Sequence, residues 1–581
     1  MPVPRLRQFD PTDTHQLTDR ELARRWGAFH DSIHMVQGVW WRRVLGRMLG
    51  VNTWRYRCAR VVGRPLLRLV RAVTGREKVA VPDEVTAVVA VDAHRAFPIN
   101  YLPQPLATLG LDLRGDEVFD SVHLITVDES RGAPDVDEIN AQIAQSDATW
   151  LCVLDASTTA IERSAALSIL LQRSEANDDV VFADEAGAHP EAPLLKSSAV
   201  GTHTLLSYNV VGRPALIRIT TLLAAGGFSR EAGVAFEHDA YLRLHETGAR
   251  FRHVALVLPG GRSPASFTSA SLEDDTLAVV RAALVRYGWG DDVVARETPG
   301  VVHWRPRVPS PAPSIDIIIP TRDRLDLVRQ CLEAIESITT YPNFDVILLD
   351  NDSIEPDTLA FFESTKYRVV RCPGPFNYAA IVNRGVAHSN ADYVLTLNND
   401  TIVITPDWLE QMVALASLPD VSFVGACLLD RDGTREHESI VIAPYPQHLR
   451  TDSNYSHADQ FSAATRDVSA VTGAVQMVRR VIWNELGGMD EKLKVVMNDV
   501  DICLRSQDEN RYVVYTPDVK LYHHVSSSRG TLDPLDDRNR FIRRWDIFGN
   551  FRDPFFAESL LLLGETMYYR HREIETDPKG R

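Results

Sequence analysis

Residues 393–401 read Tyr-Val-Leu-Thr-Leu-Asn-Asn-Asp-Thr, an apolar run that closes on Asn398, Asn399 and Asp400 shortly before a helix start at Thr405-Pro406-Asp407-Trp408. A carboxylate at the C-terminal edge of a buried strand sits where open α/β sheets bind their ligands. It is placed to hold a divalent cation against a nucleoside diphosphate. Upstream the pattern repeats: strand 315–320, helix near 324–338, strand 345–350, helix near 355–364, strand 367–371, helix 377–388, strand 392–397. Strands alternating with helices imply an α/β fold with a mostly parallel sheet. Three of its strand ends carry Thr321-Arg322-Asp323, Asp350-Asn351-Asp352 and Asn398-Asn399-Asp400, so polar groups gather on one edge.

Outward again, residues 305–314 (RPRVPSPAPS) hold four prolines in ten positions, which favours extended chain and suits a domain boundary. Before it, from near Thr86 to about Ser266, runs an earlier strand and helix alternation. The expected organisation is a basic helical segment (1–80), an α/β domain (81–304), the Pro-rich linker (305–314), a second α/β domain (315–545) and a helical tail (546–581). With 581 residues, 45% of them hydrophobic and 24% charged, the chain is long enough for two or three cores. Cys58, Cys152, Cys331, Cys372, Cys427 and Cys503 are scattered without close pairs, so neither a zinc site nor a disulfide scaffold is indicated. That pattern fits a reducing cytoplasm. No signal peptide is read at the start, and no apolar run reaches the roughly 18 residues of a membrane span.

Charge is unevenly placed. Residues 1–80 carry 16 Lys and Arg against 6 Asp and Glu, so the head bears +10 and the rest −26 of the net −16. Between Val39 and Val73, Trp40, Trp41, Leu45, Trp54 and Leu66 interleave with Arg42, Arg43, Arg47, Arg55 and Arg64. Two readings stand: helices lying peripherally on an anionic membrane surface, or a cap that packs its apolar face on the acidic body. Nucleic acid is not expected as a partner, because the acidic body repels phosphate.

In order along residues 314–530, IIIPTRDR, LLDNDS, FNYAAIVNRG, LTLNND, VTGAVQMVRR, GGMDEKLKVVMNDVDICLR and LYHHVSSSRG resemble the family 2 glycosyltransferases of the GT-A fold. The resemblance implies an inverting sugar transfer from a nucleotide-sugar donor (UDP or dTDP) to a glycan hydroxyl, in the manner of bacterial surface-polysaccharide synthesis, with a lipid-linked acceptor. It implies a nucleotide-sugar grip at Pro320, Thr321, Asp323, Asp350, Asn351, Asn383, Arg384, Asn398 and Asn399. Helix capping is the plain alternative for these Asp residues. It also implies Mg²⁺ or Mn²⁺ held by Asp400 and by His523, with His524 the alternative. Side chains alternate along a strand, and His523 shares a face with Val519 and Leu521. Asp499 is the candidate general base. Thr472, Gly473, Asn498 and Asp501 fall on the acceptor side, with Asp501 also suited to positioning Arg505. Asn498 departs from the Glu usual there. The segment from Gly433 to Ser469, with His437, His448 and His457, reads as a mobile loop over the site or an insertion without catalytic work.

The first alternation resembles the second. WLCVLDAST (150–158) lies on YVLTLNNDT without a gap and puts Ser157 opposite Asp400, while RHVALVLPGG (252–261) puts Gly260 opposite His523. GGFSREAGVAFEHDAYLRL (226–244) parallels 487–505 and offers His238 or Asp239 at the place of the base. The expectation is therefore a degenerate first copy lacking metal ligands, unless Asp184-Glu185 restores a site. Two other classes stay open: a glycan-binding scaffold of two inactive domains, and a nucleotidyltransferase. The latter usually carries a Gly-rich, basic loop where this chain has PTRDRLD.

Overall fold

The computed structural model describes residues 88–90, 122–127, 133–156, 160–185, 195–258, 270–295, 298, 300–443, 445–450, 458–524, 534–547, 551–558, 560–563 and 566–570. The basic head, Ser157, Gly260 and His457 lie outside them. The chain divides into two compact units: Met1–Asp10 with Ala93–Glu558, and Pro11–Asp92 with Ser559–Arg581. In the smaller, Val88–Ala90 and Leu560–Leu563 both pair antiparallel with Thr566–Arg570. The expected helical tail is thus corrected over 560–570. The run Leu560–Leu563, then Gly564-Glu565, then an aromatic stretch is a hairpin pattern rather than a helical one. Val88–Ala90 likewise belongs here and not to the first α/β domain.

The larger unit holds two sheets. The first is built from β1 (Val122–Val127), α1 (Val136–Ala144), β2 (Trp150–Asp155), α2 (Ala160–Arg173), β3 (Val180–Glu185), α3 (Thr202–Ser207), β4 (Ala215–Arg218), α4 (Ile219–Ala224), α5 (Phe236–Glu246) and β5 (Phe251–Leu258). Its strand order is β1-β2-β4-β3-β5. The second begins with β6 (Ile315–Thr321), α6 (Leu325–Ile338), β7 (Phe344–Asp350), α7 (Pro356–Ser364), β8 (Arg368–Arg371), α8 (Tyr378–Ala387), β9 (Tyr393–Leu397), β10 (Thr401–Val403), α9 (Trp408–Ala416) and β11 (Val421–Leu429). It continues with β12 (Arg435–His437), β13 (Ile440–Ile442), β14 (Pro446–His448), β15 (Val475–Arg479), α10 (Arg480–Glu485), α11 (Asn498–Asp508), β16 (Tyr512–His523) and α12 (Leu535–Trp545). Its order is β8-β7-β6-β9-β15-β11-β16-β10, with β12 at the side of β11.

Both sheets are mixed, which corrects the mostly parallel expectation. β4 enters antiparallel between β2 and β3, and β15 enters antiparallel between β9 and β11. Each inserted strand comes after the clean strand and helix alternation has ended, so the period gave no sign of its direction. The five-strand series β1-β2-β4-β3-β5 and β6-β9-β15-β11-β16 share order and strand senses throughout.

Apolar continuity explains the placement of β6, whose Ile315, Ile317, Ile318 and Ile319 are buried as in any strand covered on both faces. Pro320 costs no ladder bond to β9, since that pairing stops at Ile318. The two halves are not separate beads on a linker. One buried apolar cluster runs from Val127 through Trp304 to Leu521. Across the junction, Asp467 caps α3, accepting from the backbone N–H groups of His203 and Thr204 at 3.0 Å each. Its other oxygen meets His203 Nδ1 at 2.6 Å. The Pro-rich stretch is anchored at its start, where Arg305 pairs with Asp407 at 3.0 Å.

Candidate active site

The edge where β6, β7 and β9 end carries Thr321, Asp323, Asp350, Asn351, Asn398 and Asn399, all expected on the donor side. Asn399 Nδ2 donates to Thr321 Oγ1 at 3.1 Å and so ties the β6 and β9 ends together. Several residues expected to touch the nucleotide are engaged in shaping the loops. Asp323 Oδ1 accepts the N–H groups of Ile354 and Glu355, both at 2.8 Å, at the start of α7. Asp350 is fully buried, with Oδ1 accepting from Ser353 N–H at 2.9 Å and Oδ2 paired with Arg371. Asn351 donates to the carbonyls of Cys372 and Gly374. Arg384 is exposed on α8, within electrostatic reach of Cys372 at the end of β8.

Asp400 and His523 are brought together by the antiparallel pairing of β10 with β16, in which Thr401 faces His523. The His523 Nε2 to Asp400 Oδ1 distance is 3.5 Å, and both residues are buried. Asn398 Nδ2 stands 3.4 Å from the same Nε2. On the far side of the ring, Nδ1 meets Glu436 Oε2 at 2.8 Å. His524 turns elsewhere: its Nδ1 accepts from Arg431 at 3.0 Å. Burial alone lowers the basicity of His523, but hydrogen bonds to Asp400 and Glu436 outweigh it and set the pKa at about 9. Two carboxylates thus converge on a spot that favours positive charge. A carboxylate on Nδ1 with Nε2 directed at a second carboxylate is the arrangement of a metal-ligating histidine with its orienting partner. Among the described residues no group of three or more His, Cys, Asp or Glu is set to hold a metal ion. A cation held by Asp400 and His523 would therefore take its other ligands from donor phosphate and water.

Glu436 was not singled out from the sequence. It sits on the three-residue strand β12, inside a His-, Ser- and Asp-rich stretch that reads as loop, and a strand so short leaves no periodic signal.

The residues expected on the acceptor side are joined through Gly473 to the strand that leads to Asp400. Its carbonyl accepts from Thr396 Oγ1 at 3.0 Å and Tyr378 OH at 2.9 Å, and its N–H donates to Asp499 Oδ2 at 2.9 Å. Asp499 is half-buried, and its Oδ1 takes the Val500 N–H at 2.9 Å, so the carboxylate is held at both oxygens beside the Asp400 strand end. The residue before this turn of helix, Met497, has φ 67°, a left-handed conformation costly for a side chain of its size. Thr472 is buried at the wall, its Oγ1 accepting from Ala474 N–H at 3.3 Å. Asn498 is buried and donates to the Leu493 carbonyl at 3.2 Å. Asp501, grouped with the acceptor side but read as the positioner of Arg505, is fully buried and bonded to Arg505 (2.9 Å), Arg544 (2.6 Å) and Trp545 Nε1 (3.1 Å). It braces α11 against α12 and does not face the cleft.

Asn383 also serves the frame: its amide exchanges two bonds of 2.9 Å with the Met489 backbone. The first sheet repeats this detail, Asn140 bonding the Phe228 backbone at 2.8 and 2.9 Å. In both halves a left-handed glycine covers the amide, Gly488 (φ +71°) and Gly227 (φ +68°), and an added Cβ would lie 2.5 and 2.6 Å from the Asn Oδ1. Arg505 reaches Asp501 and the carbonyls of Leu486 and Gly488; Arg243 reaches Asp239 and the carbonyls of Ala225 and Gly227. Asp239 therefore matches Asp501, and Glu237, not His238 or Asp239, falls at the place of Asp499. This corrects the expected register by one residue in the direction the gapless comparison could not show.

Glu237 is shut in a fully buried pair with Arg213, at 2.8 and 2.5 Å. By strand register Arg213 stands where the second sheet has Ala474. Asp184 and Glu185 are likewise taken, by His253 and Lys196 at 2.8 Å each. His238 Nε2 lies 2.7 Å from the Leu205 carbonyl.

Known proteins give the following likenesses. The chain is 39% identical over 267 residues to the uncharacterized protein y4gI of Sinorhizobium fredii, covering 43% of this chain and 29% of that one. It is 32% identical over 407 residues to the O-antigen biosynthesis protein RfbC of Myxococcus xanthus, covering 66% and 31%. It is 24% identical over 219 residues to an N-acetylglucosaminyl-diphospho-decaprenol L-rhamnosyltransferase of Mycobacterium tuberculosis, covering 33% and 71%. The chain thus spans less than a third of the length of the first two relatives. Residues 316–487 match the model of the Glycosyl transferase family 2, a stretch that includes Asp323, Asp350, Asp400 and Gly473 and ends before Asp499 and His523. Over those residues the chain carries a family 2 glycosyl transferase domain, built on the second sheet.

Proposed function

We propose that the protein moves a sugar from a UDP or dTDP donor to a hydroxyl of a growing cell-surface glycan, with inversion and with the help of Mg²⁺ or Mn²⁺. One observation carries this reading: Asp400 and His523 converge at 3.5 Å on the ligand edge of the sheet, while Asp499 is fixed beside them on the Gly473 N–H. Asp400 and His523 would hold the cation, which offsets the charge that builds on the leaving diphosphate. In the step itself the acceptor oxygen bonds to the anomeric carbon as the bond from that carbon to the phosphate oxygen breaks. The hydroxyl proton passes to Asp499, whose oxygens are held in place by two backbone N–H groups. Thr321 and Asn399, which tie two strand ends together, would lie under the donor, and the exposed Arg384 would meet its phosphate.

The strand order, senses and paired Asn, Gly, Arg and Asp bonds of the two sheets support reading the first half as a GT-A-like copy that no longer catalyses. Arg213 and Glu237 fill its centre. That observation favours a buttressing role for this half, and a fully non-catalytic scaffold is not favoured for the second. The names of two relatives, in O-antigen biosynthesis and in rhamnosyl transfer to a lipid diphosphate sugar, support a lipid-linked acceptor. The reaction would then run at the cytoplasmic face of a membrane, with the basic stretch 39–73 suited to its anionic surface. Among the described residues no helix is long and apolar enough to cross a membrane.

Incubation of the full chain with a panel of UDP and dTDP sugars and Mn²⁺ or Mg²⁺ tests the reading, with the product's anomeric configuration taken from its proton couplings. Inverted product supports it. No consumption of any donor, or retained configuration, overturns it.

A further inference from the structure

The segment between β11 and β15 gives the site more than Glu436. β13 and β14 form a hairpin in which Ile440 faces His448, and the Ile440 N–H bonds the Ala470 carbonyl, next to the acceptor wall that starts at Val471. His437, on β12, is fully buried. Its Nδ1 stands 3.1 Å from Nδ1 of His448, with the rings edge to face at 4.7 Å.

Two facing imidazole nitrogens share one proton, and the pair has a preferred arrangement. Nε2 of His437 is buried and has no hydrogen-bond partner among the described residues, and an unbonded lone pair there costs less than an unbonded N–H. His437 therefore donates from Nδ1, His448 accepts at Nδ1, and the proton of His448 sits on Nε2. Burial, with His448 and His523 nearby, keeps His437 far below the usual histidine pKa and hence neutral, as this requires. His448 itself is exposed, and its ring makes no other hydrogen bond among the described residues. Glu436, Asp499 and His523 all lie within its electrostatic reach. Geometry links it to the cation-binding pair, since Glu436 precedes His437 on β12 and meets His523 Nδ1 at 2.8 Å; the oriented N–H donor of His448 thus stands close to that pair, with Asp499 within electrostatic reach.

We propose that His448 is a donor-binding residue whose Nε2–H hydrogen-bonds a hydroxyl oxygen of the sugar being transferred. The sugar hangs from the diphosphate held at Asp400 and His523, and its reacting carbon must lie toward Asp499. A group in reach of both therefore faces the sugar ring rather than the nucleoside. This rests on the glycosyl transfer proposed above, and it assigns the inserted segment a part in choosing the sugar.

The test compares full-length His448→Ala, His448→Asn and His448→Gln with wild type. Gln can place an amide N–H near the Nε2 position, whereas Asn can place one only near Nδ1. Binding of free UDP or dTDP with Mn²⁺ is expected to be unchanged in all three. Affinity for the nucleotide sugar that wild type consumes, and its turnover, should fall about tenfold or more in the Ala and Asn variants and recover to within roughly threefold in Gln. The inference is overturned by nucleotide-sugar affinity and turnover within about twofold of wild type in His448→Ala, by equal loss of free-nucleotide binding, or by a Gln variant as impaired as Ala. A wild type that consumes no donor would instead sink the transfer reading and this inference with it. An active wild type with indifferent variants would sink this inference alone.

Discussion

Asp501 offers the sharpest separation of frame from chemistry. Its carboxylate is fully buried, while the arginine side chains it binds keep 23% (Arg505) and 31% (Arg544) of their exposure. Asp501→Asn retains the shape and removes the charge. Breaking a fully buried ion pair costs about 3–5 kcal/mol. Here both guanidinium heads can regain water, and the amide oxygen keeps one acceptor for Arg544 or Trp545, so the expected loss is about 2–3 kcal/mol. Urea unfolding of the full chain, followed by far-ultraviolet circular dichroism, should show a clear drop in midpoint. Donor consumption by the folded variant should fall less than about tenfold, since Asp501 touches α12 and not the cleft. Asp239→Asn, in the matching network of the first half, should lower the midpoint similarly and leave donor consumption alone. An unshifted midpoint with abolished consumption in Asp501→Asn would refute the reasoning and return Asp501 to the substrate.

Arg213→Ala should destabilise by about 3–5 kcal/mol by stranding buried Glu237, yet leave nucleotide-sugar binding by the folded protein unchanged; weakened binding would show that the first half takes part in donor recognition. His203 gives the junction a pH dependence. Burial alone lowers its pKa, but Asp467, with Asp420 beyond, raises it above the ordinary 6.5. With the folded value raised, the stabilisation is complete below 6.5 and is lost as pH climbs through the folded value. The thermal midpoint gap between wild type and His203→Gln should therefore be widest below about pH 6.5 and narrow as pH rises through the folded value; a gap that stays constant as pH is raised contradicts the ion pair.

The sequence was most readable where apolar period and turn chemistry act locally. From β6 to β9 the strands and helices fall within a residue or two of their expected ends, because each is a clean buried run or a helical stripe. Asp400 and His523 stood out for the same reason, one in the turn just beyond an apolar strand and the other at the end of one. What the pattern could not carry was pairing across distance. The antiparallel entries of β4 and β15 leave no trace in the local period, and neither does the burial of Asp350 and Asp501, which depends on Arg371, Arg544 and Trp545 arriving from elsewhere in the chain. Glu436 was hidden, and His448 was read only as part of a loop or an insertion, because three-residue strands look like loop until a neighbouring sheet orders them. The register between the two halves turned on one residue, and the bonds of Arg243 to Asp239 and to the Ala225 and Gly227 carbonyls located it.

The central claim is that the second sheet holds the chemistry. Release of nucleoside diphosphate from the donor that wild type consumes, measured with Mn²⁺ for Asp400→Asn and Asp499→Asn, tests it most directly. Both variants are predicted to fall by about a hundredfold or more while remaining folded. Rates within a few-fold of wild type in both would contradict the account.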